Sequence, residues 1–430
     1  MSMNRYKCSE LLLKRALETI PLGSQTFSKS ITQYPRGVSP LFITHGKGSH
    51  IWDVDGNEYI DFVNGLASVT IGYSNEIVNN AVKQQIDNGI TFSLPHKLEL
   101  EVAELLVELV PCAEKVRFGK NGTDVTSASI RLARAYTGRE HVAVCGYHGW
   151  QDWYIGSTTR SLGVPECVKE LTHVFQYNNI SSLERLFSDK KNKIAAVIME
   201  PMNVSWPEEN YLSQVKKIVH DNGALLIFDE NITGCRFSKG GAQELFGVIP
   251  DISVFGKGLG NGFPISAIVG KSKIMNVMED IFFSGTFGGE TASLAAAKAV
   301  LEMIRDDDVI EHMHNIGEKI LTGVEKLLLK HKANELFEIT GHPSWTILTI
   351  KDTIDFTSWE IRTLFLQEMF RRGILISGSH NISYSHNEED VDKLLSVYNE
   401  VFPLIVNATS KKTLFDLLEA EVLVPLFKIR

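Results

Sequence analysis

The segment DISVFGKGLGNGFPISAIVG, from Asp251 to Gly270, places a lysine after an apolar strand and follows it with a glycine-dense turn and a second apolar strand. The glycines around Lys257 leave room for a ligand against the backbone. A lysine among apolar neighbours loses hydration, which disfavours its charged form and makes its amine a nucleophile towards a carbonyl. The segment therefore predicts a strand-end lysine that forms a Schiff base.

Two plainer interpretations are open for this segment taken alone. In the first, Lys257 is an ordinary surface lysine in a glycine-rich hairpin. In the second, the glycines form a nucleotide-binding loop. The spacing G-x-G-x-G-x-G matches neither the dinucleotide fingerprint G-x-G-x-x-G nor the phosphate loop G-x-x-x-x-G-K-[ST]. The residues upstream of Asp251 decide between these interpretations.

Composition and charge narrow the class of protein. The chain has 430 residues, which suggests two domains, and its 43% hydrophobic and 22% charged residues are those of an ordinary globular protein. A net charge of −9 argues against a nucleic-acid or anionic-membrane surface. We therefore expect small-molecule chemistry, with no nucleic-acid or membrane partner.

The cysteines and the N-terminal sequence indicate the compartment. The five cysteines are scattered and form no C-x-x-C pair, which argues against a disulfide framework and against a zinc site, so we expect no metal. The N-terminal segment has an apolar run of only three leucines, unlike a signal peptide. No apolar stretch of about 18 residues follows. The sequence predicts a cytoplasmic protein.

A second chemical signal lies in EKVRFGKNGTDVTSASIRLARAYTG, residues 114–138. A short strand through Val116 and Phe118 leads to Asn121, Gly122 and Thr123. A helix then runs to about Tyr136 and closes at Gly138. A Gly-Thr turn at a helix start offers free backbone amides and a hydroxyl to a phosphate group. A capped helix without a ligand is the alternative.

Three apolar strands further on end in polar residues. We predict them at 194–199, 224–228 and 252–255, and they end at Glu200, Asp229 and Lys257. Continuous apolar runs that alternate with helices are typical of a buried parallel sheet. Right-handed crossovers bring the carboxyl ends of such strands to one edge, so these side chains should converge. A structural ion pair between Asp229 and Lys257 is the alternative.

Further segments complete the candidate site and the domain plan. Tyr147 and His148 follow a predicted strand at 141–145, where an aromatic ring can stack on a planar heterocycle. A second Gly-Thr turn, Gly285 and Thr286, precedes an alanine-rich helix. A smaller α+β domain is predicted from helices at 311–331, 357–372 and 388–402 with strands at 345–350 and 374–376.

Taken together, the chain resembles the class III aminotransferases, the pyridoxal-phosphate enzymes of fold type I, and within them the subgroup around glutamate-1-semialdehyde aminomutase. The resemblance covers roughly residues 8–405 and is carried, in order, by WDVDGNEYIDF, VRFGKNGTDVTSASIRLARAYTGR, YHG, MEP, LLIFDENITGCR and VFGKGLGNGFPISAIVG. It implies an α/β fold with a mainly parallel seven-stranded sheet in a large domain, and a smaller α+β domain from both termini. We place the large pyridoxal-phosphate-binding domain at 60–305 and the small domain at 1–59 and 306–430.

The resemblance also implies roles for individual residues. Lys257 would form the internal aldimine, and Asp229 would keep the pyridine nitrogen protonated so that the ring acts as an electron sink. Tyr147 would stack on the ring, and Thr286 would reach the phosphate of the partner subunit's cofactor in a homodimer. Lys257 and Asp229 are thus the expected catalytic residues. The expected cofactor-binding set is Asn121, Gly122, Thr123, Tyr147, His148, Glu200, Asn203, Asp229, Asn231, Lys257, Gly285 and Thr286.

Departures from the family pattern bear on the substrate. Relatives acting on ornithine or 4-aminobutyrate tend to carry EPxQGE, whereas this chain has EPMNVS from Glu200, which argues against that subgroup. Lys29 lies where the aminomutase subgroup has an arginine for the substrate carboxylate, and lysine is a poorer bidentate partner. Asn231 replaces an apolar residue, and GGET at 288–291 replaces the usual G-N-P. We expect a carbonyl substrate other than glutamate semialdehyde, with a polar, sugar-like compound as the candidate.

We therefore predict a homodimeric, pyridoxal-phosphate-dependent aminotransferase. It would move an amino group from a small-molecule donor to an aldehyde or keto acceptor through a Lys257 aldimine and a pyridoxamine phosphate intermediate. The nearest competing hypothesis is a glutamate-1-semialdehyde 2,1-aminomutase or a related aminomutase. Two more distant hypotheses are a nucleotide-phosphate binding protein and a non-catalytic relative that keeps the fold.

Overall fold

The computed structural model describes residues 5–424 of the protein. Its strands are β1 (Ile43–Lys47), β2 (His50–Asp53), β3 (Glu58–Asp61), β4 (Lys115–Gly119), β5 (His141–Cys145), β6 (Thr172–Val174), β7 (Ile194–Met199), β8 (Leu225–Asp229), β9 (Ile252–Phe255), β10 (Ser266–Gly270), β11 (Phe337–His342), β12 (Trp345–Ile350), β13 (Ile374–Leu375) and β14 (Ser379–Asn381). Its helices are α1 (Lys7–Thr19), α2 (Asn64–Ala67), α3 (Glu76–Asn88), α4 (Lys97–Leu109), α5 (Gly122–Thr137), α6 (Asp152–Ile155), α7 (Glu166–Lys169), α8 (Ile180–Asp189), α9 (Tyr211–Asp221), α10 (Ala242–Leu245), α11 (Ser272–Met275), α12 (Thr291–Asp306), α13 (Val309–Lys330), α14 (Ser358–Arg371), α15 (Glu388–Ser410) and α16 (Leu414–Leu417).

The chain divides into two compact units. Within the described residues, the smaller unit comprises 5–67, 71–75 and 311–424, and the larger unit comprises 68–70 and 76–310. The domain limits expected from the sequence, 1–59, 60–305 and 306–430, stay a prediction, and their terminal residues lie outside the described part of the chain.

The larger unit contains one seven-stranded sheet in the order β4-β10-β9-β8-β7-β5-β6. Neighbouring strands from β6 to β9 are parallel, whereas β10 is antiparallel to both β4 and β9. This architecture confirms the predicted α/β class and the mainly parallel seven-stranded sheet. It also brings the carboxyl ends of β7, β8 and β9 to one edge.

Both faces of this sheet are covered, which explains why its central strands are continuously apolar. Along β8, Leu225 and Ile227 belong to a core cluster with residues of α5, while Leu226 and Phe228 belong to a cluster with residues of α9. All residues of β7, β8 and β9 are buried. The packed central sheet therefore fixes the positions of the residues at the ends of its strands.

The smaller unit has two sheets. One has the order β1-β2-β3-β13, with β13 parallel to β3, and the other is the antiparallel sheet β11-β12-β14. Strands β11 and β14 were not expected from the sequence. Helix α15 was expected to end at 402 but continues through Pro403 to Ser410, because Ile405 and Ala408 extend its buried face.

A left-handed turn lies at the end of the first meander. Asn64, Leu66 and Ala67 have positive φ angles of 46°, 64° and 66°, a conformation that costs about 1–2 kcal/mol per residue with a side chain. The buried carboxylate of Asp61 accepts the backbone N–H groups of Val63 and Asn64 at 2.7 and 3.0 Å. Burial raises the pKa of Asp61. These hydrogen bonds hold the start of the strained turn.

Candidate active site

Lys257 follows the buried strand β9 after one glycine. Its φ angle of +34° is unusual for a residue with a side chain, and such strain is typical of functional positions. A Cβ atom on Gly256 would lie 2.3 Å from Asn231 Oδ1, and one on Gly258 would lie 2.3 Å from Thr70 Oγ1. Any side chain at position 256 or 258 would therefore collide with Asn231 or Thr70, so both positions require glycine.

Electrostatics favour a reactive amine at Lys257. Burial is the largest cause of a lowered pKa at this lysine, and the carboxylates of Glu200 and Asp229 act in the opposite direction. The buried guanidinium of Arg236 lowers the pKa of Lys257 further. A larger fraction of neutral amine, the nucleophilic form, results.

Asp229 ends β8 and is 4% exposed. Its Oδ2 accepts a hydrogen bond from His148 Nδ1 at 2.8 Å. Its Oδ1 accepts from the backbone N and the side-chain Nδ2 of Asn231 at 3.1 and 2.7 Å. His148 is itself buried and contacts the Cys145 carbonyl through Nε2 at 3.2 Å. The carboxylate is thus held from both oxygens.

Glu200 follows β7 at the same edge of the sheet. Burial, reinforced by the Asp229 charge, raises the pKa of Glu200 from 4.5 to about 7. Its side chain accepts a hydrogen bond from Asn203 Nδ2. A Cβ on Gly146 would lie 2.6 Å from Glu200 Oε2, so this carboxyl group packs against the turn that carries Tyr147.

The start of α5 lies close to these strand ends. Asp124 accepts the backbone N–H groups of Lys120 and Asn121 at 3.1 and 2.8 Å and so holds the turn before the helix. A Cβ on Gly122 would lie 2.6 Å from Asn231 Oδ1. Thr123 is buried, and its Oγ1 accepts from the Trp150 backbone N–H at 3.3 Å.

The structure thus brings most of the predicted site residues of the larger unit together. Direct contacts or close approaches connect Asn231 with Asp229, Gly122 and Gly256, and Asp229 with His148. Tyr147 precedes His148 and is half-exposed, so part of its ring is accessible. Partial burial and the nearby Asp229 charge raise the pKa of its hydroxyl group.

Three predicted residues have different surroundings. Gly285 and Thr286 are exposed and line a hollow of about 410 Å³ together with Lys120 and Asp124 of the α5 start. Lys29 is an exposed residue of the smaller unit, where its charge acts on Asp61.

Sequence reasoning missed two features of this region. Arg236 is fully buried, which lowers its pKa to about 10, and it contacts Thr70 Oγ1 at 3.3 Å. An arginine inside the buried segment after Asp229 was the available signal. The Lys120–Glu290 ion pair, at 2.9 Å, connects the starts of α5 and α12, and no local pattern in the sequence marks it.

The residues present fit a phosphorylated pyridine aldehyde. A buried carboxylate can bind a protonated ring nitrogen, the α5 start offers backbone amides to a phosphate, and Lys257 offers an amine to an aldehyde. Asn231 Oδ1 is a buried acceptor with no hydrogen-bond partner among the described residues. Across residues 5–424, no helix is long and apolar enough to span a membrane, and no group of three or more His, Cys, Asp or Glu side chains is placed to hold a metal.

Comparison with known proteins gives the same class. The aminotransferase class-III family matches residues 33–386. The chain is 35% identical to a 3-aminobutyryl-CoA aminotransferase of Cloacimonas acidaminovorans, over 88% of this chain and 93% of that protein. It is 33% identical to a glutamate-1-semialdehyde 2,1-aminomutase of Aquifex aeolicus, over 90% and 97% respectively.

A solved structure shares the whole fold. The pyridoxal-phosphate internal aldimine form of the FumI protein of Sphingopyxis sp. MTA144 superposes with a TM-score of 0.87 at 27% identity, over 93% of this chain and 97% of that one. The protein belongs to the class III aminotransferases. It is a pyridoxal-phosphate-dependent transaminase of fold type I, as the sequence predicted.

Proposed function

We propose that the active site of this aminotransferase consists of Lys257, Asp229 and the residues packed around them in the larger unit. The observation that carries the proposal is the edge of the central sheet, where a lysine with a lowered pKa follows β9 and a doubly held carboxylate ends β8. A structural ion pair alone does not require the glycines that surround this lysine.

Each residue would have a defined task. Pyridoxal phosphate, when bound, supplies a carbonyl carbon for amines and a ring that withdraws electrons. Lys257 Nζ would hold the cofactor through its aldehyde carbon and would then carry a proton between the amine-bearing carbon of the substrate and that cofactor carbon. Asp229, held by His148, would keep the ring nitrogen protonated. Gly122 and Thr123 would bind the phosphate, with Asn121 at the start of the same turn. Asn203 would hold Glu200 beside the cofactor, and Tyr147 would cover the ring.

Glu200 would contribute through its protonation state. Because burial and the Asp229 charge raise its pKa to about 7, a large share of this carboxyl group is neutral near neutral pH. A neutral Glu200 leaves Asp229 as the main negative charge beside the ring. This arrangement would direct the ring-nitrogen proton towards Asp229.

We propose that the substrates are a free amino donor and a separate aldehyde or keto acceptor. The relatives include both an aminotransferase of 3-aminobutyryl-CoA and aminomutases of glutamate-1-semialdehyde, so the family context allows both reaction types. Lys29, where the aminomutase subgroup resembled by the sequence has an arginine, favours an acceptor other than glutamate semialdehyde. Aminomutase activity is the second candidate.

We also propose a homodimer that works in the cytoplasm. Phe282 and Phe287, on either side of Thr286, are 79% and 57% exposed, which suits a surface covered by a second copy. Gly285 and Thr286 would then bind the phosphate of the partner subunit's cofactor. Within each subunit, residues 60–305 would form the cofactor-binding domain.

Absorption spectroscopy tests the proposed function. Protein loaded with pyridoxal phosphate should show a visible Schiff-base band that borohydride bleaches, and peptide mapping should then find the label on Lys257. A panel of amino donors should convert the bound cofactor to its pyridoxamine form. Label on another lysine would refute the site, and isomerisation of one substrate without a separate donor would favour the aminomutase.

A further inference from the structure

Asn231 makes an unusual number of contacts with the proposed ring-nitrogen partner. Both its backbone N and its side-chain Nδ2 donate to Asp229 Oδ1, at 3.1 and 2.7 Å. The backbone contact is a local turn that many residues two positions after an aspartate could make. The side-chain contact requires an amide, and it is the one that distinguishes this residue.

Counting acceptor positions on Asp229 shows what these contacts do. Each carboxylate oxygen accepts about two hydrogen bonds. Oδ1 already receives two donors, both from Asn231, whereas Oδ2 receives one donor, His148 Nδ1 at 2.8 Å. The acceptor position left on this carboxylate is therefore on Oδ2.

The orientation of the Asn231 amide is fixed by the same contacts. A flipped amide would turn its oxygen towards Asp229 Oδ1 and replace an attraction with a repulsion. The amide oxygen consequently lies towards Gly122 and Gly256, where a Cβ atom on either glycine would be 2.6 or 2.3 Å from it. These two backbone turns leave room for the amide only because they carry glycine.

We infer that Asn231 is a positioning residue that occupies Asp229 Oδ1 and thereby directs the ring nitrogen of the bound cofactor to Oδ2. This inference rests on the proposed role of Asp229. Asn231 would thus affect the contact between Asp229 and the ring nitrogen specifically, and not only the stability of the fold. The hydrogen bond from His148 to Oδ2 would then align the carboxylate so that Oδ2 can accept a hydrogen bond from the ring nitrogen.

A pair of cofactor analogues measures this contact directly. The first is 4′-deoxypyridoxine 5′-phosphate, which has the ring and the phosphate but no aldehyde for Lys257. The second has carbon in place of the ring nitrogen and cannot donate to Asp229. The ratio of their dissociation constants, measured by tryptophan fluorescence with the full chain, reports the ring-nitrogen contact, because the phosphate contributes equally to both.

We expect the wild type to favour the nitrogen-containing analogue by at least about tenfold, as for a hydrogen bond to a charged group. Asn231→Leu should reduce this preference about fivefold or more, because Oδ1 of Asp229 then keeps only the longer backbone contact and the carboxylate is held less firmly. Asn231→Ala, which is smaller than the native side chain, should do the same if the leucine variant does not fold. Asn88→Leu is the matched control, since the exposed Asn88 amide also donates to one acceptor, the Gln84 carbonyl at 3.0 Å, and its loss should leave the ratio unchanged.

Each outcome has a distinct meaning. An unchanged or larger ratio in a folded Asn231 variant would overturn the inference, as would equal weakening of both analogues, which is the result of a merely structural role. A wild-type protein that binds both analogues equally would instead refute the role of Asp229 on which the inference rests.

Discussion

At the scale of single residues, the geometry around Lys257 separates binding of the cofactor from turnover. We predict that Lys257→Ala abolishes transamination but still binds pyridoxal phosphate, because the α5 start and Asp229 do not depend on the lysine. Equilibrium dialysis with the cofactor and an amine-transfer assay would check both halves. More than a trace of turnover in this variant would remove Lys257 from its role.

Replacing Asp229 with asparagine removes the negative charge of the side chain while keeping its shape. Asp229→Asn should fold, since an amide oxygen can still accept from His148 or Asn231, but it cannot keep the ring nitrogen protonated. We expect kcat to fall about a thousandfold or more, as when a preorganised electrostatic partner is lost. A rate within tenfold of the wild type would make Asp229 a structural residue.

Glu200 gives a prediction for the dependence of stability on pH. Its pKa in the folded protein is about 7, above the ordinary 4.5, so the folded state binds a proton that the unfolded chain has released between these values. The stability from this group is therefore complete at low pH and is lost as the pH rises through about 7. Cofactor-free wild type should lose up to about 3 kcal/mol more than Glu200→Gln between pH 5 and pH 8.

Thermal unfolding of both proteins at several pH values measures that difference. Parallel pH profiles for the wild type and Glu200→Gln would show that Glu200 does not titrate in this range. The comparison within a pair of variants removes the contribution of every other ionisable group.

Local patterns predicted which residues end the strands, but not what those residues touch. Glu200, Asp229 and Lys257 were identified because each follows an apolar run. The contacts of Asp229 with His148 and of Gly256 with Asn231 join segments far apart in the chain, and no local periodicity encodes them. Arg236 was missed because its burial is decided by tertiary packing.

At the scale of secondary-structure elements, the start of α5 offers a test of the phosphate site. Asp124→Ala removes the acceptor for two backbone N–H groups before the helix, which should cost about 1 kcal/mol of stability. We expect the affinity for pyridoxal phosphate to fall several-fold as well, because the amides of this turn lose their fixed direction.

Helix α14 in the smaller unit provides the matched control. Glu360 accepts the Thr357 backbone N–H at 2.7 Å in a similar capping box, and no proposed site residue lies on this helix. Glu360→Ala should cost a similar stability and leave cofactor affinity unchanged. Equal loss of affinity in both variants would mean that affinity merely follows stability.

Elements with a strong period were predictable, and short polar ones were not. Strands β7, β8 and β9 and helix α5 agree with the expectation, because their apolar residues fill a whole strand or one helix face. Strand β14 reads Ser-His-Asn, with no apolar alternation, and is defined by its pairing with β12. The continuation of α15 past Pro403 likewise depends on buried residues beyond the proline.

At the scale of the whole molecule, the proposed dimer makes a complementation test possible. If Thr286 serves the partner subunit's cofactor, Lys257→Ala and Thr286→Trp are both inactive alone. A mixed dimer would contain one site with both lesions and one with neither. Each mixed dimer should therefore have up to about half of the wild-type activity, and a freely exchanging 1:1 mixture, in which about half of the dimers are mixed, should recover up to about a quarter.

Subunit exchange must be shown independently, for example with differently tagged subunits. If tagged subunits exchange and activity does not return, Thr286 serves the cofactor of its own chain or none. Variants of the exposed Lys7 and Lys83, mixed in the same way, control for effects of the mixing procedure.

The antiparallel position of β10 has a consequence for how the protein is made. Strand β4 lies at the edge of the sheet and pairs with β10, so Gly119 cannot find its partner until the ribosome has synthesised Ser266. The β9–β10 hairpin that carries Lys257 forms from neighbouring residues, whereas closing the long loop back to β4 is slow. During translation, β4 and the proposed phosphate-binding turn after it therefore remain unpaired until the segment that contains Lys257 and β10 has been synthesised.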